Sequence, residues 1–155
     1  MADEVLRRQL IAQLEGGQAY PPAREILERF PRERVGDRVD GIRHTAWELL
    51  EHLRIAQWDI LNFTLDPNHV TPPWPSEHWP NSPQPESSDL WTHSIEVFLS
   101  ELKAVKDLAR NPDTQLFTAI PHGSGQTYLR EILLVADHNA YHLGQLMLLR
   151  RALEG

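Results

Sequence analysis

The sequence predicts an all-α protein, a four-helix bundle with one long connection, and three observations predict it. Apolar residues recur at helical spacing in three long windows. No window alternates with a period of two between hairpin turns, so no sheet is expected. Between two of the windows, Pro67 to Pro85 holds seven of the chain's twelve prolines, which neither a helix nor a tight turn accommodates.

In chain order, Val5 to Leu14 reads as a helix ended by Gly16-Gly17, and Ala23 to Phe30 as another after Pro21-Pro22; one bent helix is the alternative. From about Arg43 to Leu65, Ala46, Leu49, Leu53, Ala56, Ile60 and Phe63 form an apolar stripe, stopped by Asp66-Pro67. The 67–85 segment follows, carrying His69, Trp74, His78 and Trp79. It is long enough to cross from one end of a bundle to the other, and long loops in small helical domains often serve as lids or binding segments. The next stripe, Trp91, Ile95, Phe98, Leu102, Val105 and Ala109, is spaced four, three, four, three, four. Ser87, Ser88 and Asp89 are its N-cap candidates, and Asn111-Pro112 ends it. After an irregular stretch to about Gln126, a last helix is expected from about Thr127 to Leu153, its core stripe at Leu129, Leu133, Ala136, Ala140, Leu143 and Met147.

Composition narrows the function classes. A length of 155 residues fits a single domain over 1–155, able to bury a core without disulfides. There is no cysteine, hence no disulfide, no thiolate nucleophile and no Cys-based zinc site. A formal charge of -7 has the wrong sign for a phosphate-binding surface, which argues against nucleic acid as a partner. The basic cluster Arg29, Arg32, Arg34 and Arg38 is diluted by Glu28, Glu33, Asp37 and Asp40 and reads as a solvated segment. No run of 18 apolar residues suggests a membrane span, and the acidic start MADEVLRRQL does not resemble a signal peptide. A cytoplasmic location is the expectation.

Chemistry concentrates in the eight histidines. His138 and His142 lie four apart in the last helix, rotated by only about 40° and displaced by roughly 6 Å, so both imidazoles can converge on one ion. They belong to a stripe of their own, Val135, His138, His142, Gln145 and Leu149, that borders the expected apolar one. His52 flanks the buried face of its helix and supplies a third nitrogen. Three neutral imidazoles suit a divalent metal and leave positions open, whereas closed structural sites use four protein ligands. Core histidines satisfied by hydrogen bonds, with no metal, are the competing reading. A zincin is excluded because Asn139 follows His138 where that motif needs Glu, and a di-iron bundle because no Glu-x-x-His occurs.

The remaining candidates are weaker. His69, His78 and His122 fall in loops from which a ligand could approach, His44 suits a cap or a hydrogen bond, and His93 is expected to be exposed. Gln145, Glu48 and Glu51 are candidates to orient an imidazole. Asn139 is placed beside the cavity, and packing is the expected role of Tyr141.

Two stretches carry a family resemblance. Thr45-Ala46-Trp47-Glu48-Leu49-Leu50-Glu51-His52-Leu53 resembles the tryptophan-containing leucine-x-His-leucine segment on the second helix of the DinB-like bundles. Asp137-His138-Asn139-Ala140-Tyr141-His142-Leu143-Gly144-Gln145-Leu146 is similar to their His-x-x-x-His-x-x-Gln signature on the last helix. The resemblance implies an up-up-down-down bundle with a divalent metal on His52, His138 and His142. Zinc or nickel is the first choice, with iron or manganese as alternatives. It also implies a reaction class, because characterised relatives include transferases and isomerases that use a low-molecular-weight thiol. A thiol-dependent S-transferase acting on a small-molecule substrate is therefore the expected function. A metal-dependent hydrolase and a non-catalytic metal-binding or interaction module are the alternatives. No catalytic or cofactor-binding residue outside the metal shell is assigned. A leftover apolar helix face suggests a homodimer.

Overall fold

A computed structural model describes residues 2–155. The helices are α1 (Ala2–Glu15), α2 (Ala23–Glu28), α3 (Ala46–Leu65), α4 (Ser88–Arg110) and α5 (Tyr128–Glu154), with a 3-10 turn at Arg32–Arg34. Among the described residues there is no strand, only isolated bridges at Val39–Ile42 and Ala119–Thr127. The N-terminal region holds two separate helices, because Gly16 and Gly17 both take positive φ and turn the chain before Pro21-Pro22.

Helix boundaries follow local chemistry. α3 begins three residues later than the stripe suggested, at a capping box. Thr45 Oγ1 accepts from the Glu48 N–H at 3.2 Å, and Glu48 Oε2 accepts from the Thr45 N–H at 2.8 Å. Arg43 and His44 are thereby left outside the helix, on the segment that enters it. Thr127 caps α5 by accepting from the Arg130 N–H at 3.1 Å.

The four long helices form a ring in which α3 packs on α4 and α5, and α1 packs on the same two. Their senses differ from the up-up-down-down order that the resemblance implied. The Thr45 hydroxyl donates to the Pro83 carbonyl beside the start of α4, and Leu61 and Thr64 share a crevice with Val105 and Leu108 near its end. Hence α3 and α4 run parallel. Against α3, His52 faces His142 while Gln57 meets Asn139, so α5 runs antiparallel to it. Arg7, near the start of α1, reaches the carbonyls of Ala109 and Asn111 at the end of α4, so this pair is antiparallel too. The bundle is therefore up-down-down-up. The physical reason is the 67–85 connection, which returns the chain along the full bundle before α4 begins.

The core explains which face each helix turns inward. Trp91, Ile95, Phe98, Leu102, Val105 and Ala109 are all buried, as α4's one-sided pattern predicts. Each fully buried Leu or Phe contributes about 1.5–3 kcal/mol. The expected core stripe of α5 is only partly its core face: Leu143 is buried, but Leu133 is exposed and Leu129, Ala136, Ala140 and Met147 are half-buried. Ile132, Val135, Asn139, His142, Leu146 and Leu149 face inward instead. Leucines surround α5 on every side, so hydrophobicity left its orientation open, and packing against α3 decided it in favour of the histidine stripe.

Candidate metal centre

Two antiparallel helices build the site. α3 supplies His52, and α5 supplies His138 and His142 one turn apart. One nitrogen from each imidazole falls in a single group whose members lie within 4.8 Å of one another. Among the described residues, no further histidine or carboxylate joins this group. His52 Nε2 and His138 Nε2 are 3.0 Å apart. Two nitrogens sharing a tetrahedral ion at about 2.0 Å are separated by roughly 3.3 Å.

The far nitrogens are held so that the near ones face inward. The His52 Nδ1–H donates to the His78 carbonyl at 2.7 Å, leaving Nε2 as the lone-pair nitrogen. The His142 Nδ1–H donates to Gln145 Oε1 at 2.6 Å. Such contacts fix tautomer and ring plane, as in protein sites where imidazole ligates an ion. One turn further along α3, the Gln57 amide donates to the Phe98 carbonyl and accepts from the Asn139 amide, pinning α3, α4 and α5 together beneath the histidines.

The 67–85 connection forms the roof. Trp79 lies flat on His52 with centroids 3.8 Å apart and planes within 2°, and His44 stacks on its other face at 4.0 Å. Trp74 approaches His52 at 6.0 Å with a tilted ring. This cover dries the site, and dryness sets the charge of the histidines. Burial pushes His138 down to about 3, helped by the nearby His142 and His52. Burial also pushes His52 down to about 4, against the hydrogen bond to the His78 carbonyl. His142 is lowered for the same reason, opposed by Gln145. All three are neutral lone-pair donors at neutral pH, the form a metal requires.

The sequence profile described as the DinB superfamily matches residues 17–146. The chain belongs to the DinB superfamily. No curated protein and no solved structure matches it.

Other residues singled out in this DinB-superfamily chain divide cleanly. Gln145 orients His142 as expected. Glu48 instead serves the α3 cap, and Glu51 pairs with Arg54 at 2.7 Å, so neither holds an imidazole of the trio. His69 and His78 do not join the three histidines through their rings; both turn to Asp59, at 2.7 and 3.4 Å. His122 donates to the Phe63 carbonyl at 2.6 Å, and His93 is exposed. Tyr141 is 65% exposed, edge-on to His142, and is not a packing residue. Three features escaped the sequence: the His78 carbonyl, the Trp79 stack and the Asp59 anchor. Each depends on the path of a proline-rich loop whose residues carry no periodic signal.

Proposed function

We propose that this DinB-superfamily protein is an enzyme that holds one divalent metal ion on His52, His138 and His142 and acts as a thiol-dependent S-transferase on a small electrophile. The observation that carries the reading is the convergence of three neutral imidazoles with no fourth histidine or carboxylate in the group among the described residues. Such a donor set suits zinc or nickel first, and leaves room for a reactant. A staple between helices would call for a fourth protein ligand, so the non-catalytic reading is the weaker one.

When bound, the ion supplies positive charge that lowers the pKa of a thiol or water toward neutrality. The chain's own residues do the rest. His78, through its carbonyl, and Gln145 fix the rings of His52 and His142. Trp79 and Trp74 exclude water above His52, so that charges inside are screened less. Metal-assisted hydrolysis is the second reading, since an ion that activates a thiol also activates water.

The test is elemental analysis of untagged protein purified without a nickel column, beside His52→Ala and His142→Ala. About one metal per chain, lost in both variants while helicity is retained, is the expected result. Folded wild-type protein that takes up no metal on incubation with zinc would overturn the metal centre. A screen of thiols against electrophiles, with water as the competing nucleophile, then separates transferase from hydrolase.

A further inference from the structure

Of the chain's fifteen Lys and Arg residues, most are matched to a carboxylate. A cavity of 660 Å³ between α2 and α4 illustrates this: its Lys103, Lys106 and Arg110 are paired with Asp107 or Glu15, and Arg24 with Glu28. Arg43 differs. Its guanidinium is exposed and makes no ion pair or hydrogen bond among the described residues, yet it lines two cavities.

Both cavities adjoin the roof of the histidine trio. One, of 430 Å³, is lined by Arg43, His44, Glu48, Pro75, Ser76 and Trp79. The other, of 250 Å³, has apolar walls from Ile42, Leu49 and Leu148, with Gln145 also in its lining. Gln145 is the residue hydrogen-bonded to His142, and Trp79 is the ring stacked on His52. The one carboxylate in the lining, Glu48, is engaged by the Thr45 N–H and by Arg38. The free charge of this region is therefore positive, on a chain whose net charge is -7.

We infer that Arg43 and the adjoining apolar walls form a subsite for the carboxylate of a small amphipathic substrate whose other end reaches the histidine trio. The inference rests on the reading of the trio as a metal centre that accepts a thiol. A guanidinium pairs with a carboxylate through two parallel N–H donors. Ile42, Leu49 and Leu148 would cover an alkyl segment behind it. The carboxylate belongs either to the thiol or to its electrophilic partner, and the same arginine serves both.

Calorimetric titration of the zinc-loaded protein tests this with mercaptohexanoate, mercaptohexanamide and hexanoate, on wild type and Arg43→Gln. The expected result is that mercaptohexanoate binds wild type roughly tenfold more tightly than its amide, and that Arg43→Gln abolishes the difference while leaving amide binding unchanged. Acid and amide bound equally by wild type would overturn the subsite and leave the thiol reading intact. Hexanoate bound in an Arg43-dependent way, with neither thiol showing any further gain, would retain the subsite and assign the carboxylate to the electrophile. No binding by any of the three, or a preference that survives Arg43→Gln, would also overturn the subsite.

Discussion

At the scale of single residues, the trio depends on atoms that never touch an ion. Gln145 holds the His142 ring through Nδ1. Gln145→Ala frees that ring, and the expected consequence is a metal affinity lower by roughly 10- to 100-fold with the helix content unchanged, read by competition with a chelator. Acidity acts on the same atoms. Because the folded pKa of His52 is pushed down to about 4 and that of His138 to about 3, protons compete weakly for them at ordinary pH. With His142 lowered as well, metal affinity should fall at a pH below that of an exposed histidine, the protons on His52 and His138 competing only near their lowered values. A titration of zinc affinity against pH checks this, and a decline centred on the usual histidine value near 6.5 would contradict the buried geometry.

At the scale of elements, what the sequence made legible depended on how one-sided each helix is. The α4 stripe from Trp91 to Ala109 was readable because its opposite face is charged, and every member is buried. α5 was not, because Leu133, Leu134, Leu146, Leu148 and Leu149 leave no polar face to contrast with. The three histidines were nevertheless legible, since i, i+4 spacing places two imidazoles together whichever face turns inward. Loop length likewise predicted a crossing connection, which the parallel packing of α3 and α4 bears out. The roof was illegible because stacking of Trp79 between His44 and His52 is fixed by contacts distant in sequence. One such contact is testable at Gly36, where an added Cβ would lie 2.7 Å from the Gln84 Cβ. Gly36→Ala is expected to push the segment entering α3 away from the connection and to lower the thermal midpoint. Thr45→Ala removes one cap bond and the tie to the Pro83 carbonyl, and should cost about 1–2 kcal/mol in chemical denaturation.

At the scale of the whole molecule, two kinds of buried titratable group pull stability in opposite directions. The lowered histidines take up protons more readily in the unfolded chain, so the metal-free protein loses stability as pH falls from about 6.5 toward 4. Glu101, on α4 against Arg54 and Gln57 of α3, is pushed up to about 7 by burial. It releases its proton more readily when unfolded, so its contribution is lost as pH rises from its ordinary value of 4.5 toward 7. Glu101→Gln is therefore expected to raise the thermal midpoint above pH 7 and to change it little near pH 4. An equal shift at both would show that charge is not the cause.

The ring of helices also imposes a timetable. His52 and His138 are separated by 86 positions, with the end-to-end connection and the whole of α4 between them. Contacts so distant in sequence close late, after nearer pairings have reduced the freedom of the chain. A ribosome-bound chain that has emerged only through α4 carries one of the three imidazoles, so on the proposed reading metal loading would await synthesis of α5. The ion would then act as a latch on an almost finished bundle, holding the last helix against α3 in proportion to the free metal around it.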